Sequence, residues 1–109
     1  MSEISVKELV KNHEKAFKPE VAEGVDAVIQ YQLTGDEGGD WIIIIKEGKC
    51  TVTEGNAEKP TMTLMANAQD FKDVLTGKAD GMQYFMQGKF KLSGDLNLAM
   101  KLTTLFKMG

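Results

Sequence analysis

The chain has 109 residues, 42% of them apolar, and its 13 lysines against 16 acidic groups give a net charge of −3. That length supports one hydrophobic core and not a second, so a single domain spanning residues 1–109 is expected. The absence of arginine argues against a nucleic-acid partner, whose bases and phosphates are read by bidentate guanidinium groups, and no apolar run approaches the ~18 residues of a membrane span.

In chain order, Ser5-Val6-Lys7-Glu8 reads as a capping box that opens a helix, with Val6, Leu9, Val10, Ala16 and Phe17 at helical spacing and Pro19 as its stop. His13 shares a face with Leu9, Val10 and Phe17; with no second histidine and no nearby cysteine it reads as a packing residue at the helix edge, not a metal ligand. Three strands follow, over Ala27–Leu33, Trp41–Lys46 and Cys50–Glu54, joined by glycine-rich linkers of hairpin type. Because strand follows strand, those glycines are not a phosphate cradle, which needs a helix N-terminus after it. Asp36, Glu37 and Asp40 depart from EF-hand spacing, so no metal site is expected. Ala27, Ile29, Tyr31 and Leu33 share one face of the first strand, opposite Val28, Gln30 and Gln32. The second strand, Trp41 to Ile45, is apolar on both faces: it is either covered on both sides or part of a sheet that meets a partner.

Beyond Pro60, Thr61–Ala66 reads as a fourth strand. Asn67 then caps a short helix with Phe71, Val74 and Leu75 inward, and Asp80 caps another carrying Met82, Phe85 and Met86. Phe90 and Leu92 alternate with lysines in a fifth strand before Gly94-Asp95 turns into a last helix. In that helix Leu96, Leu98, Ala99, Met100, Leu102, Leu105 and Phe106 cover roughly 220° of arc, against the ~100° that packing on one core requires. Such a helix sits between two apolar layers, covers a cavity or docks on something outside the chain. All six methionines after the first lie at or beyond residue 62, with four of the five phenylalanines, as suits an adaptable apolar pocket.

Charge is uneven. Residues 1–76 carry 8 lysines and 14 acids, net −6, and residues 77–109 carry 5 lysines and 2 acids, net +3. A basic, apolar C-terminal third is suited to transient contact with an anionic membrane surface. The N-terminal MSEISVKELV has neither a basic n-region nor an apolar h-region, so no signal peptide is read; with a lone Cys50, a cytoplasmic location is the expectation.

Five blocks in order resemble the sterol carrier protein-2 (SCP-2) domain family. They are Gly35 to Trp41, Gly55 to Leu64, Asp70-Phe71 to Lys78, Phe85-Met86-Gln87-Gly88-Lys89-Phe90-Lys91-Leu92-Ser93-Gly94-Asp95, and Leu98-Ala99-Met100-Lys101-Leu102. The resemblance implies an α+β fold: a five-stranded, mainly antiparallel sheet, helices packed on one side, and a crossover that makes strands one and four parallel. It also implies an apolar tunnel between sheet and helices that takes fatty acids, fatty acyl-CoA, phospholipids or sterols, with no catalytic residue and no cofactor. Its end, Phe106-Lys107-Met108-Gly109, departs from the eukaryotic carriers in lacking the peroxisomal tripeptide. The lining is expected from Phe71, Leu75, Met82, Phe85 and Met86 on the two short helices, and from Leu98, Met100, Leu102 and Phe106 on the last. Two other readings stand beside it: a non-catalytic accessory domain of a lipid- or quinone-metabolising complex, and a small cone-shaped enzyme using Asp26 with Tyr31 or Tyr84. Oligomeric state is not legible.

Overall fold

The computed structural model describes residues 5–18, 20 and 24–98. Their elements are α1 (Val6–Lys11), α2 (His13–Ala16), β1 (Ala27–Thr34), β2 (Gly39–Lys46), β3 (Lys49–Glu54), β4 (Met62–Asn67), α3 (Ala68–Leu75), α4 (Gly81–Met86) and β5 (Phe90–Gly94). The five strands form one sheet in the order β3-β2-β1-β4-β5. Every neighbouring pair is antiparallel except β1 with β4, where Ile29 faces Met62 and Leu33 faces Ala66 in parallel register.

Strand alternation decides which face is covered. Ala27, Ile29, Tyr31 and Leu33 of β1, Trp41, Ile43 and Ile45 of β2, and Met62, Leu64 and Ala66 of β4 are all buried, and Val6, Val10, Ala68, Phe71, Phe90 and Leu98 join them in one core. Each of the fully buried branched side chains is worth about 1.5–3 kcal/mol of transfer free energy. The β2–β3 link is the two-residue turn Glu47-Gly48, in which both residues have positive φ (53° and 72°), as a tight hairpin matched to strand twist requires.

The sheet order forces the β3–β4 connection across β2 and β1, and it crosses on the face opposite the core. Gln30, which alternation assigns to that outer face, is therefore buried. Its Nε2 lies 3.0 Å from the Gly55 carbonyl and 3.2 Å from those of Tyr31 and Trp41, while its Oε1 accepts the Ala57 N–H at 2.7 Å. At the far end of the crossover, Thr61 N–H donates to the Val28 carbonyl and Val28 N–H to Thr61 Oγ1. The same connection lies against Ile42, which accounts for part of the two-sided apolarity of β2.

The first helix departs from expectation. Instead of one helix continuing through Phe17, it breaks at Asn12 and ends at Ala16, with Phe17 extended at ψ 136°. Lys15 N–H reaches back only three residues, to Asn12 O, and this tightened turn carries His13 into the core. The Ser5 cap is present, its Oγ accepting the Glu8 N–H at 3.1 Å.

Candidate functional site

Tyr31 lies at the centre of the interface between sheet and helices. The Phe71 ring of α3 meets it edge-on at 5.0 Å, and the His13 ring does so at 5.5 Å from α2. His13 Nδ1 is 3.0 Å from the Leu9 carbonyl, which can only accept, so Nδ1 carries the proton and Nε2 accepts from the Tyr31 hydroxyl at 2.9 Å. His13 is thus a core packing residue that also anchors α2 to β1. Burial lowers the His13 pKa from its ordinary 6.5, against smaller opposing effects of backbone hydrogen bonds at Leu9 and Val10, and burial raises that of Tyr31.

A depressed histidine pKa means that the unfolded chain takes up the proton first. Stability held at pH 7 is then lost as pH falls through 6.5 towards the folded value. Thermal melts should show a midpoint that drops between pH 7 and 5. His13→Gln should be less stable at pH 7 and lose less on acidification; an equal acid loss in both proteins would assign the effect to other groups.

Asn67 ends β4 and starts α3, its Oδ1 accepting the Gln69 N–H at 2.8 Å. That turn sets Phe71 into the core, only 2% exposed, with Leu75 half-buried against the same cluster one turn later. Lys72 is buried beside it and pairs with Glu37 Oε2 at 3.3 Å, while Glu37 Oε1 accepts the Val6 N–H, so the β1–β2 turn ties α1 to α3. Asp95 Oδ1 caps the last helical segment through the N–H groups of Asn97 and Leu98 and brings Leu98 into the core.

On α4 the structure turns the helix differently from expectation. Gly81 and Tyr84 face inward. A Cβ on Gly81 would stand 3.3 Å from Val74 Cγ1, and the Tyr84 ring meets Phe90 edge-on at 6.0 Å while its hydroxyl reaches Asp73 at 3.4 Å. Phe85 sits at the margin, 41% exposed, and Met82 and Met86 point outward at 56% and 78%. A six-residue helix has room for one inward row, and Tyr84, with both ring and hydroxyl contacts, occupies it. Of the expected lining, Phe71, Leu75 and Leu98 therefore converge on one apolar layer and Met82 and Met86 do not. Met100, Leu102 and Phe106 lie outside the described residues.

A depression of about 160 Å³ opens where β1 and β4 begin, lined by Gly24, Val25, Asp26, Ala27, Thr61, Asp95, Asn97 and Leu98. It is smaller than the ~300–1,000 Å³ of ordinary ligand pockets, and its carboxylates suit no acyl chain. Asp26 borders it, whereas the Tyr31 hydroxyl donates to His13 and the Tyr84 hydroxyl to Asp73, so neither tyrosine directs its proton at Asp26. The Cys50 pKa is pushed up to about 12 by burial and then by the Glu14 charge, which disfavours the thiolate.

The description "SCP-2 sterol transfer family" matches residues 6–107. The chain belongs to this family. Hydroxysteroid dehydrogenase-like protein 2 from Xenopus tropicalis is 33% identical over 98 residues, which is 89% of this chain and 24% of that protein. This SCP-2 chain thus spans about a quarter of the length of that relative. The solution structure of sterol carrier protein domain 2 of Helicoverpa armigera is 34% identical with a TM-score of 0.71, covering 92% of this chain and 80% of that one. That of palmitated SCP2L2 from Aedes aegypti is 29% identical with a TM-score of 0.74, covering 94% and 91%. The five-stranded sheet with one parallel pair is the SCP-2 fold, and among the described residues no helix is long and apolar enough to cross a membrane.

Proposed function

We propose that this SCP-2 domain is a non-catalytic carrier that binds a single acyl chain, as free fatty acid, acyl-CoA or phospholipid, or a sterol, between its sheet and its helices. The observation that carries this reading is the convergence of Phe71 and Leu75 of α3 with Leu98, more than twenty residues further along the chain, on the apolar layer under the helices. The palmitated Aedes aegypti relative supports it through a fold shared over 94% of this chain. On this reading Phe71, Leu75 and Leu98 line the site and Phe85 stands at its mouth; Met100, Leu102 and Phe106, also expected in the lining, lie outside the described residues.

The energetics agree with a releasable cargo. A dry void of ~300 Å³ costs on the order of 7 kcal/mol, comparable to the stability of a small domain, so the site is occupied, wet or partly closed when empty. Burying ~15 methylenes gains ~12 kcal/mol gross, which ordering and association reduce to roughly micromolar affinity. Titration with a fluorescent fatty acid should saturate in that range, and palmitate should displace the probe. Leu75→Trp, which fills the layer, should weaken binding about tenfold while circular dichroism stays native. An unsaturable signal from folded protein would count against the carrier and favour an accessory domain of a larger assembly.

A further inference from the structure

The outward face of α4 has no part in the proposed lining. Met86 is the most exposed of the large apolar side chains noted on the described surface, Met82 stands one turn before it on the same face, and Phe85 flanks both. Neighbouring exposed apolar side chains on one helix face mark an interaction surface, and the unbranched thioether of methionine adapts to a fluid partner. The charge around the face has a definite sign. Lys89 follows the helix and lies 4.3 Å over the inward Tyr84 ring, which fixes its ammonium beside α4, and Lys78 precedes the helix; Asp80, whose carboxylate accepts the Met82 N–H, is the acid between them. In the sequence, residues 77–109, the stretch that includes this face, carry +3 and residues 1–76 carry −6.

We propose that Met82 and Met86, flanked by Phe85, Lys78 and Lys89, form the surface by which the protein seats itself on an anionic lipid bilayer. This rests on the carrier reading above, since a carrier has to collect and deliver its cargo at a membrane. The methionines enter the headgroup boundary and the lysines answer its negative potential. A neutral protein groove would gain from the methionines but not from the charge.

The experiment is flotation with two kinds of vesicle, phosphatidylcholine alone and phosphatidylcholine with phosphatidylserine, at low and high salt. A fluorescent fatty-acid titration without vesicles runs in parallel. The wild-type protein should float with the anionic vesicles at low salt and much less at high salt. Met82→Gln/Met86→Gln should lower anionic-vesicle affinity on the order of tenfold and leave fatty-acid affinity at the wild-type value. Lys89→Gln should reduce binding to anionic vesicles only. Unchanged flotation of the double variant, or flotation indifferent to phosphatidylserine, would overturn the proposal and leave the carrier reading standing. Joint loss of fatty-acid binding in a folded double variant would assign the methionines to the cargo site and overturn it too. A concentration-dependent dimer that the double variant abolishes, with no vesicle binding, would make the face a self-association surface instead.

Discussion

Gly94→Ala should lower stability by about 3–5 kcal/mol, from left-handed strain and overpacking together, and the melting temperature by ~15 °C. Gly94 closes β5 opposite Met62 with φ 91°, a conformation that L side chains rarely adopt. A Cβ there would stand 2.5 Å from the Thr61 carbonyl oxygen and 2.9 Å from Met62 Cα. Both are backbone atoms and cannot swing aside as a side chain would. The next residue depends on the same carbonyl, because Asp95 N–H donates to Thr61 O at 2.9 Å before its side chain caps the last helical segment. The substitution therefore disturbs the corner that places Leu98 in the core. Gly88→Ala is the control: its φ is 80°, yet nothing lies within 4 Å of the added Cβ. It should cost about 1–2 kcal/mol, the left-handed strain alone. Similar losses in the two variants would show that the close approach to β4 carries no weight.

Gln30→Leu should cost about 2–4 kcal/mol, since it keeps the side-chain volume but leaves the Gly55 carbonyl and the Ala57 N–H without their partner. These groups hold the β3–β4 crossover on the outer face, and their release should appear in hydrogen exchange as faster opening at Ala57 while the β1–β2 ladder stays protected. Urea denaturation measures the loss. A variant as stable as wild type would mean that the bonds of Gly55 and Asn56 to Asp40 and of Thr61 to Val28 hold the crossover without Gln30.

The strands were legible because alternation is a local signal. Ala27, Ile29, Tyr31 and Leu33 were read as one face, and all four are buried. The caps were legible for the same reason: Ser5, Asn67, Asp80 and Asp95 each accept the backbone N–H groups expected of their spacing. Features set by distant partners were not. The break at Asn12 serves a bond between His13 and Tyr31, eighteen residues apart, and nothing in the helical periodicity of residues 6–17 announces it. Gln30 was legible only as lying on the face opposite Ile29 and Tyr31, because its burial comes from a crossover whose path depends on strand order. Lys72 is buried through Glu37, thirty-five residues away.

The candidate site was legible only in part. Steps of 100° show which residues share a face of α4 but not which face turns inward, and Tyr84 was overlooked as the inward residue in favour of three apolar neighbours. The signal was present in its type, since an amphipathic ring can both pack on Phe90 and satisfy its hydroxyl at Asp73. Phe71 and Leu98 do pack in the core and Leu75 against it, each following a cap at a spacing that points it at the sheet.

The central claim, that an acyl chain lies between the sheet and the helices, is tested most directly by methyl and amide NMR during titration with palmitate. Saturable shifts should concentrate at the Leu75 and Leu98 methyls and around the Phe71 ring, with the outer-face amides of Thr51 and Thr53 unmoved. Palmitate that produces no saturable shift, or shifts confined to Asp26, Thr61 and Asp95 at the polar depression, would contradict it.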